Sequence, residues 1–347
     1  MYDGAYRYLI DQLRQTPGKS LWFAEEGCTD YLAELAPFKD KILLLSARVD
    51  IINEARQLNI PAHINDAQWP QGESPIAACF IRIAKEKPWV QHLINQARQY
   101  LPAGGQLLLA GHKQEGIKTY ADKAAALFLS PQKAIKNGDF YSLALTQPSV
   151  PAGSLLPCED YPKFRPVFTL QEKPVYSKPG IYGWDKIDQG SQLLVDTLKA
   201  EMLPTLNNCL DLGCGYGYLT LATANLDLGL RTCTDNNQAA VNACAHNCAQ
   251  WGLAAESVLA DCGDGINQRF DLILCNPPFH QGFNVENQLT QRFLAAAAKR
   301  LNTTGAAFFV VNQFIALERK AGEYFKHCEL KSSDGRFKVL RLTQPKI

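Results

Sequence analysis

The sequence lacks any long hydrophobic run, although 46% of its 347 residues are hydrophobic. No stretch approaches the roughly 18 consecutive apolar residues of a membrane-spanning helix, so no such helix is expected. The first residues contain no basic segment followed by an apolar one, which gives no reason to expect a signal peptide. These absences predict a globular protein of the cytoplasm that has no membrane partner.

Net charge is nearly absent as well. The 35 Lys and Arg residues balance 34 Asp and Glu residues, which leaves a formal charge of +1. A protein that grips phosphate backbone usually carries a strong basic excess or patch. A local excess occurs near the C-terminus, where five basic residues accompany one acid: Lys331, Arg336, Lys338, Arg341 and Lys346, with Asp334. Such a group is more often a solvated face, so alone it is weak support for nucleic-acid binding.

Cysteine is abundant, with eleven residues, but no Cys-x-x-Cys pair occurs anywhere. Most of these residues stand singly in apolar runs, which predicts small buried side chains in a reducing compartment. One group, Cys244, His246 and Cys248, has a spacing that a metal site could use. It lies in a helical pattern, and no neighbouring pair supplies the fourth ligand of a structural zinc site. We therefore expect no metal.

Prolines are dense between residues 146 and 183, at positions 148, 151, 157, 162, 166, 174 and 179. Proline at this frequency forbids a long helix and disfavours a central strand. We therefore predict a linker over 146–183, between one domain over 1–145 and another over 184–347. The chain length agrees with two domains of roughly 150 residues each. Within the linker, 167–170 and 175–177 could still form edge strands or a hairpin.

The segment after the linker alternates between strand-like and helix-like patterns. Strands are expected near 208–211, 230–234, 257–260, 270–275 and 306–311, with helices near 218–224, 238–250 and 289–300. The tail, 326–342, alternates around a central Asp-Gly, as a hairpin would. This order predicts an α/β fold with a mostly parallel sheet and an antiparallel C-terminal hairpin.

The first half contains a short segment similar to part of the second half. Residues 101–109 align with residues 301–309, and each segment runs from a helix through a glycine, Gly105 or Gly305, into an apolar strand. Helix–glycine–strand units are common in α/β proteins, so the similarity alone is modest. It nevertheless favours two tandem Rossmann-like domains over a single one.

Acids and glycines follow the first strands of the second half, where open parallel sheets bind ligands. Residues 211–217 form Asp-x-Gly-x-Gly-x-Gly, in which a strand-terminal acid suits a cationic ammonium better than a pyrophosphate. Asp235 is placed to take two ribose hydroxyls, or to cap the next helix. Asp261 is placed to accept from an adenine amino group, or is a turn residue. The predicted binding residues for S-adenosyl-L-methionine are Asp211, Gly213, Cys214, Gly215, Gly217, Asp235, Asn236 and Asp261.

The predicted catalytic residues are Asn276, Pro277, Pro278 and Phe279, which follow the strongly apolar strand 270–275. The proline pair fixes the backbone so that the Asn276 side chain and one carbonyl, that of Pro277, can face the same point. Two convergent acceptors suit a planar NH2 group, whose lone pair they would direct towards a methyl donor. The ring of Phe279 offers a surface on which a base could stack. The alternative is a purely structural Pro-Pro loop.

The second half resembles the bacterial 16S rRNA guanine-N2 methyltransferases of the guanine-1207 type. The matching stretches are 179–194, 276–282, 310–312 and 335–339. The resemblance implies two tandem domains, of which only the second binds S-adenosyl-L-methionine. It also implies a ribosomal RNA substrate, which we expect within a 30S particle, with naked RNA as the alternative. Because two like domains in one chain can take the place of a dimer, we expect a monomer. Consistent with one active domain, residues 81–88 of the first half are basic where the second half has its Asn-Pro-Pro-Phe.

Other functions stay open at this point. The same acceptors would serve a guanine N2 of large-subunit rRNA, an adenine N6 or a glutamine amide of a protein. A glutamine enzyme of this type usually has a small helical N-terminal domain and tyrosine at the position of Phe279. A non-catalytic RNA-binding module with a relic cofactor pocket is a further alternative, which the intact motifs of the second half disfavour.

Overall fold

The computed structural model describes residues 3–72, 75–278 and 283–346. The chain divides into two compact units, Met1–Lys163 and Phe164–Ile347. The boundary differs from the predicted linker, because 146–163 belong to the first unit and 164–183 to the second. In the described residues no helix is long and apolar enough to span a membrane.

The first unit alternates strands with helices. Its elements are α1 (Gly4–Gln15), β1 (Lys19–Phe23), α2 (Leu32–Leu35), β2 (Ile42–Ser46), α3 (Val49–Gln57), β3 (Ala62–Ile64), β4 (Ile76–Arg82), α4 (Lys87–Tyr100), β5 (Gln106–His112), α5 (Ile117–Leu127), β6 (Ile135–Asn137) and β7 (Phe140–Thr146). Asp3 caps α1 by accepting from the backbone of Ala5. Seven strands form one sheet in the order β3-β2-β1-β4-β5-β7-β6, in which β7 runs antiparallel to both of its neighbours and the other pairs are parallel.

The second unit begins with a hairpin and then repeats the alternation. Its elements are β8 (Arg165–Leu170), β9 (Lys173–Ser177), α6 (Gln189–Ala200), β10 (Asn208–Leu212), α7 (Tyr218–Ala222), β11 (Leu230–Asp235), α8 (Gln238–Trp251), β12 (Ala255–Leu259), β13 (Phe270–Cys275), α9 (Phe283–Arg300), β14 (Leu301–Asn312), α10 (Leu317–Tyr324), β15 (Phe325–Ser333) and β16 (Phe337–Pro345). The sheet order is β12-β11-β10-β13-β14-β16-β15. Here too β16 is antiparallel to both of its neighbours. The predicted α/β class, parallel sheet and antiparallel C-terminal hairpin are confirmed.

The two sheets follow the same strand order, so the two units are copies of one architecture. The predicted match between Gly105 and Gly305 is part of this repeat. A Cβ at Gly105 would lie 3.3 Å from the carbonyl oxygen of Ala77, and one at Gly305 would lie 2.8 Å from that of Asp271. At each position the chain at the start of the fifth parallel strand, β5 or β14, comes close to the backbone of the neighbouring strand, which leaves little room for a side chain.

The proline-rich hairpin β8–β9 packs on the second unit through α8. The side chain of Asn247 donates to the carbonyl of Tyr176 and accepts from its N–H, each at 2.8 Å. Trp251 donates from its indole to the carbonyl of Pro174 at 3.0 Å. The alternative that 167–170 and 175–177 form a hairpin is therefore confirmed.

The core of the second unit lies on both faces of its sheet. One face packs α6 and α8 against residues such as Leu272 and Phe308, and the other packs α9 and α10 against Ile273 and Phe309. Because both faces are covered, the central strands β13 and β14 are mostly apolar, and Asp211, Asp235 and Asn276 lie at or next to the ends of their strands. The carboxyl ends of β10, β11 and β13 therefore form one polar edge.

Candidate active site

Asp211 stands in β10, one residue before its end, and only 2% of the residue is exposed. Its Oδ2 accepts from the hydroxyl and the backbone N–H of Thr220, at 2.8 and 3.2 Å. Its Oδ1 is buried without a hydrogen-bond partner among the described residues. Burial raises the pKa of Asp211 to about 7, although the Thr220 hydrogen bonds oppose the shift. A buried carboxylate oxygen without a partner is a place for a cationic donor.

The glycine turn after β10 takes a path that other residues rarely follow. Gly213 and Gly217 have φ angles of +83° and +93°. A Cβ at Gly217 would lie 2.8 Å from the sulfur of Cys244, so packing also requires glycine there. The N–H groups of Gly213 and Cys214 both donate to the carbonyl of Thr234, at 2.8 and 2.9 Å, which ties the turn to β11.

Asp235, at the end of β11, joins the same edge. Its Oδ2 accepts from the N–H of Gly215 at 3.0 Å, and its Oδ1 accepts from the N–H of Asn237 at 2.9 Å. The cap of α8 is Asn237, which accepts from Ala239, so the alternative of Asp235 as that cap is wrong. The predicted Asn236 lies between them and is partly exposed. The structure thus brings Asp211, the glycine turn and Asp235 together.

The other predicted residues of this edge have partners of their own. Asp261 follows β12 in a short 3₁₀ helix and forms an ion pair with Arg292. Cys214 is buried, and its side chain packs with three other cysteines. Only its backbone takes part in the glycine turn, through the N–H that donates to Thr234. The adenine contact of Asp261 stays a prediction.

Asn276 follows β13 directly, and its amide is oriented by helix α6. Its Nδ2 donates to Asp188 Oδ1 at 2.7 Å and to Ser191 Oγ at 2.8 Å. Because an ionised carboxylate only accepts hydrogen bonds, it fixes which end of the amide faces α6. Both amide protons are thereby used, and Oδ1 points away from these two acceptors. Pro277 is buried and Pro278 exposed, while the predicted Phe279 lies outside the described residues, as does His280.

Asp188 has two roles that reasoning from the sequence did not assign. It caps α6 by accepting from the N–H of Ser191 at 2.8 Å, and the same oxygen holds Asn276. The ring of Phe337 lies 3.0 Å from where a Cβ of Gly190 would be, so this close packing requires glycine. Arg336 donates to Gln189 at 2.9 Å. The sequence did contain a signal for these contacts, since 179–194 and 335–339 resemble the methyltransferase family. The structure shows why both stretches matter: they contact each other through Gly190 with Phe337 and through Gln189 with Arg336.

Comparison with known proteins agrees with this geometry. The model of the methyltransferase small domain family matches residues 172–341. The ribosomal RNA small subunit methyltransferase C of Klebsiella pneumoniae is 30% identical over 261 residues, which are 74% of this chain and 72% of the relative. The protein of the same name from Erwinia tasmaniensis is 31% identical over the same shares. That from Citrobacter koseri is 28% identical over 84% of this chain and 81% of its own length.

One solved structure matches both units together. It is the 16S rRNA N2 G1207 methyltransferase of T. thermophilus, solved in complex with AdoMet and guanosine. The TM-score is 0.82 at 23% identity, and the match covers 98% of this chain and 93% of the other. This likeness confirms the tandem fold. Given the sequence identity and coverage of the relatives, the chain belongs to the ribosomal RNA small subunit methyltransferase C family.

Proposed function

We propose that the chain transfers the methyl group of S-adenosyl-L-methionine to the exocyclic N2 of a guanine in 16S rRNA. The observation that carries the proposal is the fixed amide of Asn276, whose Nδ2 is held by Asp188 and Ser191. With the nitrogen end held, the oxygen end is presented as an acceptor at the carboxyl edge of the sheet. Its family relatives carry the name of small-subunit rRNA methyltransferases.

The residues of the polar edge fit the cofactor. When bound, S-adenosyl-L-methionine supplies an electrophilic methyl group on a sulfonium. Asp211 Oδ1 is buried and lacks a partner within the described residues, which suits the cofactor's ammonium group. Asp235 lies at the end of the next strand and would accept from the ribose hydroxyls, since each carboxylate oxygen can accept more than one hydrogen bond. Asp261 would contact the adenine.

Asn276 and Pro277 would act on the guanine amine. The N2 lone pair of guanine is delocalised into the ring, which makes the amine a poor nucleophile. Hydrogen bonds from its two N–H groups to Asn276 Oδ1 and to the Pro277 carbonyl would favour a pyramidal nitrogen and aim its lone pair. Catalysis would then consist of positioning and electrostatics, without a dedicated general base. Phe279 would stack on the base, and the base would have to leave its helix first.

We propose further that only the second unit is catalytic. The first unit would support the second and present RNA to it. The substrate would be ribosomal RNA, either free or within a 30S particle. We therefore expect the protein to act in the cytoplasm. We also expect a monomer, since tandem copies of one fold can provide within one chain the surface that a dimer would otherwise assemble.

The test is methylation of unmodified small-subunit RNA. The full chain is incubated with radiolabelled S-adenosyl-L-methionine and either naked 16S rRNA or 30S particles, and the RNA is digested to nucleosides. We expect N2-methylguanosine as the labelled product, and the better substrate of the two identifies the form that the protein recognises. Mass spectrometry of nuclease fragments then locates the guanine.

The proposal would be overturned by another product from protein that binds the cofactor. N6-methyladenosine would move the substrate to adenine, and label in a protein hydrolysate would move it to glutamine. If only large-subunit RNA were labelled, the proposed guanine-N2 methylation would stand but the substrate would be large-subunit rRNA. Cofactor binding is measured by calorimetry in parallel, so that a misfolded preparation is recognised.

A further inference from the structure

Four of the eleven cysteines meet behind the glycine turn, and the proposed methyl transfer assigns no role to their thiol groups. Cys214 lies in the turn, Cys233 lies in β11, and Cys244 and Cys248 lie in α8. The two helical cysteines are one turn apart and so face the same side. All eleven cysteines are free thiols, but these four share one cluster.

The spacing of the sulfur atoms suits a metal ion. The Sγ atoms of Cys233, Cys244 and Cys248 all lie within 4.8 Å of one another. At the upper limit of that separation the centre of the triangle is about 2.8 Å from each sulfur, and Zn–S bonds are about 2.3 Å long. A small inward movement of the side chains would therefore complete the three bonds. Across the described residues it is the one such group of three or more potential ligands.

A fourth sulfur lies next to this triangle. Cys214 belongs to the same buried cluster as Cys233, Cys244 and Cys248. The four residues are between 0% and 6% exposed, and their partly buried neighbours, Leu253 and Ala255, are apolar. Structural zinc sites are closed and tetrahedral, and four thiolates are one of their common ligand sets. The sequence offered Cys244, His246 and Cys248 without a fourth ligand. In the fold His246 instead contacts the rings of Phe164 and Tyr176, and Cys214 and Cys233 join the helical pair.

We propose that Cys214, Cys233, Cys244 and Cys248 bind a structural zinc ion. Each thiol that binds the ion releases its proton to solvent, since the thiolate is the ligand. The ion would connect α8, β11 and the glycine turn. Its effect would reach Asp211, because Cys233 Sγ lies 3.2 Å from the Thr220 hydroxyl that donates to Asp211 at 2.8 Å. The site is structural, and it supplies no reacting group to the proposed methyl transfer.

Metal content and cobalt spectroscopy test the site in the full chain. The protein is purified under reducing conditions without added chelator, and its zinc is measured by mass spectrometry. We expect about one zinc per chain. After removal of the zinc, titration with Co²⁺ should produce sulfur-to-cobalt charge-transfer absorption together with the visible bands of a tetrahedral ion.

Variants separate the ligands from other buried cysteines. Cys233→Ala and Cys248→Ala should weaken zinc binding by about 100-fold or more, because each loses a bond within the sulfur triangle. Cys214→Ala should keep a three-thiolate site with a changed cobalt spectrum and about 10-fold weaker binding. Cys209→Ala is the matched control, since Cys209 is a buried strand cysteine outside the cluster and should leave binding unchanged.

Two outcomes would overturn the proposal. The first is a reduced wild-type protein that unfolds cooperatively on heating yet takes up neither Zn²⁺ nor Co²⁺ at micromolar free metal. The second is a Cys209→Ala variant that loses as much affinity as Cys248→Ala. The wild-type titration decides the matter even if a cysteine variant fails to fold.

Discussion

The two units make the same contact with different residues. In each, an aspartate caps the helix that precedes the first central strand and also binds the residue at the end of the fourth parallel strand. In the first unit Asp3 caps α1 and accepts from Arg82 at 2.8 Å. In the second unit Asp188 caps α6 and accepts from Asn276 at 2.7 Å. The repeated scaffold therefore holds an arginine in one copy and an asparagine in the other.

The difference explains why one copy should be catalytic. Arginine carries donors only, so Arg82 cannot accept a hydrogen bond from an amine. Its guanidinium also binds Glu115 at 2.6 and 3.0 Å and lies over the ring of Tyr6, so its charge is neutralised within the unit. Asn276 uses its nitrogen for the scaffold and keeps an oxygen for a ligand. One scaffold contact thus serves stability in the first unit and, we propose, chemistry in the second.

The two units also differ at the carboxyl end of their first central strand, β1 or β10. The N–H of Ala24 donates to the carbonyl of Leu45 at 2.8 Å, as that of Gly213 donates to Thr234. This equivalence places Trp22 where the second unit has Asp211. Trp22 is fully buried and stacks on Phe80 with ring centroids 5.4 Å apart. An indole there fills the core and offers no anionic group to a cofactor.

The largest expected effect is on the stability of the first unit. Arg82→Met removes the charge that Asp3 and Glu115 share, and it leaves both partly buried carboxylates without their guanidinium partner. We expect the free energy of unfolding of this unit to fall by about 3 kcal/mol. Denaturant unfolding followed by circular dichroism measures it, with Asn276→Ala as the matched control of the second unit. Loss of S-adenosyl-L-methionine affinity in Arg82→Met would contradict the separation of roles.

Asn276→Ala should give the largest effect on turnover. It removes the acceptor proposed to act on the amine, while Asp211, which lies on a different strand, remains. We expect turnover to fall by about 10²–10³-fold, as when one oxyanion-hole donor is removed. The dissociation constant for the cofactor, measured by calorimetry, should stay within about twofold of wild type. An equal loss of cofactor affinity would show that Asn276 belongs to the cofactor site instead.

Asp211 should make cofactor binding depend on pH. Burial raises its pKa from 3.8 to about 7, so below pH 7 the carboxyl is mostly neutral and a weaker partner for an ammonium. Affinity should therefore rise by up to about tenfold per pH unit towards pH 7 and then level off. Calorimetry between pH 5.5 and 8.5 checks this, and Asp211→Asn should flatten the curve. A wild-type curve without this rise would contradict the assignment.

The same group affects stability in the ligand-free protein, with a defined sign. The unfolded carboxyl ionises near pH 3.8 and the folded one near pH 7, so the folded state binds more protons between these values. The contribution of Asp211 to stability therefore decreases as pH rises from about 4 to 7. Thermal unfolding of wild type and Asp211→Asn across this range measures the difference.

The smallest effect is expected at Ser191, a positioning residue. Ser191→Ala removes one of the two acceptors that orient the Asn276 amide but keeps the backbone N–H that Asp188 caps. We expect turnover to fall by about three- to tenfold, from the loss of roughly one hydrogen bond, with the cofactor affinity and KM unchanged. Ser191→Thr keeps the hydroxyl and should restore turnover. Its counterpart Tyr6, also three residues after the capping aspartate, should tolerate Tyr6→Phe without any change in turnover.

Much of the fold could be predicted because its signals are local. Apolar strands followed by polar residues, as at 270–276, indicate both a buried parallel strand and the edge of a site. For the predicted linker the sequence left two possibilities open, because proline forbids a long helix and disfavours a central strand but permits an edge hairpin. Pro166 and Pro174 lie in a two-stranded hairpin outside the main sheets, where a missing N–H costs little. Proline density therefore marked an edge element that belongs to the second unit.

The sequence by itself determined the α/β class, the repeat, the strand-end acids and the family, because these depend on periodicity and on residues close together in the chain. The tertiary structure alone decided which distant residues meet. Asp188 and Asn276 are 88 positions apart, and Cys214 and Cys248 are separated by a strand and a helix. Their meeting depends on parallel strands ending at one edge of the sheet, a property of topology that no local pattern encodes.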